Sequence, residues 1–211
     1  MPEHADISTP PLRRSPGLQR LLKATGRDLA PSLRRLYGSH VFLRAPRRRD
    51  WPQWSDLRNR SRDYLEPWEP RWPSGHLGEA AFRNRLRNYT RDKTVRPFLI
   101  FRRRDGVLVG GITISNIRRG FSHSCSIGYW IGETYAGGGL MTDALATVLP
   151  FLFHEMNIHR IEAACLPANR ASQRVLEKCG FRKEGVARKY LKINGKWQDH
   201  QLFALVRSDD R

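Results

Sequence analysis

No apolar run in this 211-residue chain approaches the roughly 20 residues needed to cross a bilayer. The longest, Leu145 to Phe153, is interrupted by Thr147 and Pro150 and reads as a buried helix. Met1 to Pro11 lack the apolar core of a secretory signal, so a cytoplasmic protein without a membrane partner is expected. Cysteine is scarce too. Cys125, Cys165 and Cys179 are an odd number, with no CxxC spacing and no histidines placed to complete a metal set. They are expected to be buried thiols, neither a disulfide framework nor a metal site, and no His and acid pair beside them suggests a nucleophile. Acidic residues are also short: 20 Asp and Glu stand against 38 Lys and Arg, a formal charge of +18.

Much of that excess is arginine in clusters, at Arg47-Arg48-Arg49, Arg102-Arg103-Arg104 and Arg118-Arg119. A field of this sign attracts polyanions, whether RNA, a ribosome, an acidic protein or the phosphates of a nucleotide cofactor, or it is simply a solvated surface. With 39% hydrophobic and 10% aromatic residues the chain has enough apolar material for one packed domain. Residues 1–38 read as a basic, partly irregular N-terminal extension, interrupted by prolines and by Gly26, and residues 39–211 as the folded domain.

From Val41 the pattern alternates. Val41 to Arg44 reads as a strand. Trp51 to Arg62 reads as a helix with Asp50 as its N-cap. An aromatic loop follows at Pro67 to Pro70, and a second amphipathic helix at Leu77 to Arg91. Pro97 to Arg103 and Val107 to Ile117 form a hairpin around Asp105-Gly106, and Ser124 to Ile131 a third strand. A helix then runs from the Gly137-Gly138-Gly139 turn through Met156. Arg160 to Leu166 is a strand, and Ala171 to Cys179 a helix closed by Gly180. Phe181 to Ile193 and Trp197 to Val206 flank Asn194-Gly195, a strong hairpin signal. The order β-α-α-β-β-β-α-β-α-β-β predicts an α/β fold with a mixed sheet and helices on its faces.

The chemistry gathers around a strand that runs through three glycines into a helix. Glycines let backbone N–H groups converge on an anion, and the helix start adds about half a positive charge. A diphosphate suits this turn. The nucleotide-triphosphate pattern fails, because no Lys-Ser or Lys-Thr follows Gly139, and GxGxxG fails because residue 142 is threonine. About thirty residues later Asn169 and Ser172 stand at the mouth of a short helix, where Asn169 also reads as a plain N-cap.

Together these segments resemble the GNAT superfamily, and within it the RimJ/RimL group of ribosomal-protein N-terminal acetyltransferases. The resemblance covers residues 40–207. The family's loop of Arg or Gln, then Gly-x-Gly-x-Gly or Ala, appears here as Ala136-Gly137-Gly138-Gly139-Leu140-Met141, with alanine and methionine at its ends. The N-x-x-S pair maps onto Asn169 and Ser172, followed by Leu176-Glu177-Lys178-Cys179-Gly180-Phe181. Three further segments resemble the RimJ type: Leu65 to Pro70, Cys125 to Gly132, and Lys189 to His200.

The resemblance implies the GNAT acyl-CoA N-acyltransferase fold, with a mostly antiparallel central sheet flanked by helices. It implies acetyl-CoA as cosubstrate, with no metal, and direct attack of an amine on the thioester. Tyr129, Trp130, Ile131, Ala136, Gly137, Gly138, Gly139, Leu140, Met141, Thr142, Asn169, Ser172 and Lys178 would form the coenzyme site. The Ile131 amide would polarise the thioester carbonyl, Ser172 would stabilise the departing thiolate, and Asn169 would orient the reactants. Tyr64, Trp68, Glu69 and Asp199 are expected on the acceptor side, Trp72 beside them, with Glu162, Glu133 and Asp199 as bases acting through water.

An α-amine, with a pKa of about 7.7–8.0, needs less help than a lysine near 10.4, which favours a protein N-terminus as acceptor. A small amine or antibiotic is the second reading, and a basic nucleic-acid or ribosome-binding module with a coenzyme A site the third. A monomer or a homodimer is expected.

Overall fold

Hydrophobic alternation along short strands builds one sheet, and amphipathic helices close its two faces. The computed structural model describes residues 35–209, so residues 1–34 of the extension expected at 1–38 lie outside the described residues, while Arg35–Tyr37 of it form a strand of the sheet. The elements are β1 (Arg35–Tyr37), β2 (Val41–Arg44), α1 (Trp51–Arg60), α2 (Arg62–Leu65), α3 (Glu79–Arg91), β3 (Arg96–Arg102), β4 (Leu108–Arg118), β5 (Ser124–Ile131), α4 (Leu140–Pro150), β6 (Arg160–Cys165), α5 (Arg170–Lys178), β7 (Arg182–Ile193) and β8 (Lys196–Val206). The eight strands lie in the order β1-β2-β3-β4-β5-β6-β8-β7. The pair β5–β6 is parallel and every other pair antiparallel.

Alternate residues of each strand feed opposite faces. On β3, Ile100 enters the larger core, which Met141, Leu145 and Val148 of α4 and Leu176 of α5 complete. Its neighbours Leu99 and Phe101 enter a smaller core with Trp54 and Leu57 of α1 and Phe82 of α3. The same alternation on β5 sends Tyr129 and Ile131 to the first face and Trp130 to the second. Gly111 lies directly opposite Trp130 in the ladder, and a Cβ there would come within 2.7 Å of the indole Nε1. Glycine therefore lets the Trp130 ring lie flat across β4.

Several local expectations change in the structure. Asp50 stands at the start of α1 but caps none of its amides. Its carboxylate takes both ends of the buried Arg44 guanidinium, at 2.6 and 2.7 Å, and the Arg47 amide at 2.7 Å. A buried charge needs such pairing more than a helix end needs a cap. The helix expected to run to Met156 is regular only to Pro150, and one π turn follows at Phe151–Glu155. Pro150 has no N–H to continue the ladder, and the Met156 amide bonds to the Phe151 carbonyl, five residues back, at 3.0 Å. The Asn194-Gly195 hairpin forms as expected, with φ of 43° and 81° as a type I′ turn requires.

Candidate active site

The parallel pair β5–β6 is short. Ser124, Cys125 and Ser126 pair with Arg160, Ile161 and Glu162, and the two strands then separate. Ile127 to Ile131 continue along β4 alone, while Ala163 to Cys165 continue along β8 alone. A gap therefore opens in the middle of the sheet. Gly132 donates its amide to the Val109 carbonyl at 2.9 Å, which fixes the alternation along β5. The amides of Gly132, Trp130 and Gly128 point to β4. Those of Ile131, Tyr129 and Ile127 point into the gap.

β5 leads through a single turn at Glu133–Tyr135 into the three glycines. Gly137 and Gly139 have φ of 77° and 80°, and all three glycines are exposed with open space where a Cβ would stand. Gly139 occupies the N-cap of α4 and makes no side-chain cap, so the first turn of the helix keeps its donors for an anion. Met141 is buried and Leu140 packs on the core, so these residues offer only their backbone. Ala136 and Thr142 are half-buried, and the Thr142 carbonyl accepts from the Cys179 thiol at 3.6 Å.

One turn into α4, Asp143 accepts the amides of Ser39, His40 and Val41 at 3.0, 2.6 and 3.1 Å. This contact satisfies the carboxylate with three backbone donors and ties α4 to the turn between β1 and β2. Asp143→Ala is expected to lower stability by about 1–2 kcal/mol, read from urea unfolding with an unchanged m-value.

Across the gap, the Tyr129 hydroxyl lies 2.9 Å from Ser172 Oγ and 3.2 Å from the Ser172 carbonyl. Burial holds the Tyr129 phenol well above its usual range, with the Ser172 hydrogen bond opposing. It is therefore a protonated donor at any working pH. Asn169 caps α5 by accepting the Ser172 amide at 3.0 Å, which leaves its side-chain N–H groups free of that bond. The N-cap reading of Asn169 therefore holds, and the same asparagine is the one expected to orient the reactants. Lys178 is exposed in the last turn of α5. Burial pushes Cys125 up to about 12 and Cys179 to about 11; Cys165 is also raised by burial, against a hydrogen bond from Ser172. All three are thiols rather than thiolates, and among the described residues no group of His, Cys, Asp and Glu could hold a metal ion.

On the opposite face a cavity of about 200 Å³ lies between α1, α3 and strands β3 to β5. Trp130 lines it, so only the backbone of this residue runs along the gap. Glu69 reaches this cavity, whereas Tyr64, Trp68 and Asp199 do not line it. Tyr64 and Trp68 are half-buried beside it in sequence, and Asp199 holds the Lys189 amide at 2.8 Å on the β7–β8 hairpin. The Glu69 carboxylate accepts from Arg58 and from Trp72 Nε1, the latter at 2.8 Å, while its carbonyl accepts the Asn194 amide at 3.0 Å. Of the other expected bases, Glu162 pairs with Arg160 at 2.9 Å and Glu133 is exposed.

The sequence reading missed Arg58, Arg85 and His76. Two of them sit at helical spacing with aromatics, Trp54 with Arg58 and Phe82 with Arg85, and that pattern was the available signal. His76 stacks on Trp72 at 5.2 Å, and burial, with Arg85, Arg58 and Arg62 nearby, lowers it to about 4. Below pH 6.5 the unfolded chain takes up a proton that the folded protein refuses, so stability falls as pH drops from 6.5 towards 4. His76→Gln is expected to remove this slope, seen as a Tm loss between pH 7 and pH 5 smaller by a few degrees than in the parent protein.

Diverging strands leave a gap, a glycine turn opens an uncapped helix, and a hydroxyl pair stands at the gap. The acetyltransferase (GNAT) domain model matches residues 40–182. The chain belongs to the GNAT acetyltransferase family. This acetyltransferase is 34% identical over 178 residues to the ribosomal protein uS5 alanine N-acetyltransferase of Escherichia coli, covering 83% of this chain and 92% of that one. It is similar to Mycobacterium smegmatis RimJ in complex with CoA-disulfide, with a TM-score of 0.77 at 35% identity over 83% of this chain and 87% of that one. The ribosomal-protein-S5-alanine acetyltransferase of Vibrio fischeri has the same TM-score at 30% identity, over 84% and 99%. The acetyltransferase is therefore of the RimJ/RimL ribosomal-protein type.

Proposed function

We propose that this acetyltransferase moves an acetyl group from acetyl-coenzyme A to the N-terminal α-amine of a ribosomal protein. The observation that carries the reading is the gap. It brings the free Ile131 amide and the Tyr129–Ser172 hydroxyl pair to one place, one short turn away from the uncapped glycines. The relatives add the class of acceptor, since two of them are named for the alanine terminus of one ribosomal protein.

Gly137, Gly138 and Gly139 and the first amides of α4 hold the diphosphate, and the gap between β5 and β6 receives the pantetheine arm. Acetyl-coenzyme A, when bound, supplies an activated thioester. The Ile131 amide donates to the thioester oxygen as charge develops there, a contact worth about 3 kcal/mol in comparable sites. Ser172, kept in place by Tyr129 and by the Asn169 cap, donates its hydroxyl to the departing sulfur. Asn169 turns its remaining N–H groups towards the pantetheine arm or the incoming amine. The amine itself arrives from the Glu69 side, where that carboxylate is already engaged by Arg58 and Trp72. With Glu162 paired to Arg160 and Asp199 held on the hairpin, water takes the amine proton, which an α-amine near pKa 8 releases readily. The net charge of +18 supports an approach to ribosomal RNA.

The test is thiol release from acetyl-coenzyme A with peptides bearing a free α-amine, the same peptides blocked at the terminus but carrying lysine, and small polyamines. Turnover confined to the free α-amine supports the reading. Turnover of polyamines alone overturns it.

A further inference from the structure

The cavity behind Trp130 contains more positive charge than its own carboxylate balances. Arg58 and Arg85 both line it, against Glu69. Arg58 is 5% exposed, and its Nε is buried without a hydrogen-bond partner. Its guanidinium lies among three indoles, 5.8 Å from Trp54, 4.4 Å from Trp72 and 4.7 Å from Trp130. Arg85 also lies over the Trp54 ring, at 5.3 Å, and gives a hydrogen bond to the His76 ring at 3.2 Å. Among the described residues it forms no ion pair within 4 Å. His76 adds no charge, because the neighbouring arginines and burial keep it neutral. Two guanidiniums against one carboxylate leave an excess of +1 in a cavity of about 200 Å³.

We propose that this cavity recognises a carboxylate side chain within the first three residues of the acceptor, holding it between Arg85 and the indole-framed Arg58. The proposal rests on the N-terminal reading above. Position supports it: Trp130 stands between Tyr129 and Ile131, whose amides face the gap, so the cavity lies directly behind the point where the amine reacts. An extended acceptor advances about 3.3 Å per residue, so a second or third side chain falls there when the terminus is at the thioester. Chemistry supports it as well. A guanidinium keeps five donors in a plane, Arg58 has spent few of them, and a carboxylate is the acceptor that takes two at once. Indole faces fix both guanidiniums and exclude water, so the contact forms at low entropic cost. The volume suits one side chain, and it is smaller than the range usual for a cofactor pocket. A polycationic small amine meets the wrong sign.

The experiment uses the full chain, acetyl-coenzyme A and three peptides with a free α-amine that differ only at residues two and three: acidic, amide or lysine. Rates are measured in about 0.5 M salt, where the overall field of the protein is screened beyond a few ångströms. The acidic peptide is expected to exceed the amide peptide in kcat/KM by about tenfold, and the lysine peptide by more. Arg85→Gln is expected to bring the acidic-to-amide ratio to within about threefold of unity, and Arg83→Gln, on the exposed side of α3, to leave it in place. Equal rates for all three peptides in the parent protein, or an acidic preference that survives Arg85→Gln, would overturn the pocket while leaving the N-terminal reading standing. Turnover of polyamines with no peptide turned over would overturn both.

Discussion

Gly139→Glu is expected to weaken coenzyme A binding about a thousandfold with little loss of fold stability. Gly139 sits at φ 80° with nothing within 4 Å of a built Cβ, so a longer side chain meets no steric wall. The left-handed conformation costs a non-glycine residue roughly 1–2 kcal/mol. The new carboxylate recovers part of that, because it lies at the positive end of α4 and satisfies the same amides. This is why it blocks the site: a tethered anion occupies the donors that the diphosphate needs and repels what remains. Gly139→Ala carries the strain without the charge, and since strain acts on free and bound protein alike, its Kd should change by no more than about threefold. Titration calorimetry of both variants decides. Unchanged affinity in Gly139→Glu would mean that the diphosphate lies elsewhere.

Ser172→Ala is expected to reduce kcat by about a hundredfold while the Kd for coenzyme A remains within a few fold. In the proposed role the hydroxyl acts on charge that appears only as the carbon–sulfur bond breaks, so its loss is felt in the rate. Tyr129→Phe tests how that hydroxyl is held. The Tyr129 phenol reaches both Ser172 Oγ and the Ser172 carbonyl, and burial keeps its proton in place. Without it the serine rotates freely, and a reduction of about tenfold is expected from lost orientation alone. The double variant should cost no more than Ser172→Ala, because the tyrosine then has nothing to orient. Additive losses in the pair would show that Tyr129 acts on the substrate directly.

β2 and β5 fall where the sequence placed them, Val41–Arg44 and Ser124–Ile131, because their apolar alternation is bounded by clear turns. β1 was not legible. Arg35-Leu36-Tyr37 is three residues within an arginine-rich stretch, and it becomes a strand only by pairing with β2. The glycine turn and the Asn169 cap could be read because both are local signals. The acceptor side could not. Arg58 looks like one more basic residue on a surface helix until α3 and the Pro67–Pro70 loop close over it. Tyr64 and Trp68, expected on the acceptor side, do not line the cavity, and it is Glu69 of the same segment that turns into it. Which face a side chain takes in an irregular loop depends on the partners that packing brings to it, here Arg58, Trp72 and the distant Asn194.

The divergence of β5 and β6 also works as a ruler. Both grips proposed for the coenzyme, the Ile131 amide and the glycines, belong to one continuous stretch of chain, with residues 132–136 as its graduations. β5 is laced to β4 along its length, so the gap cannot widen to accept a ligand of another gauge without unlacing a ladder. A single residue inserted within 132–136 would leave both grips intact and change the distance between them. Such a protein would hold coenzyme A at one end and miss its thioester at the other, which separates binding from turnover by length alone.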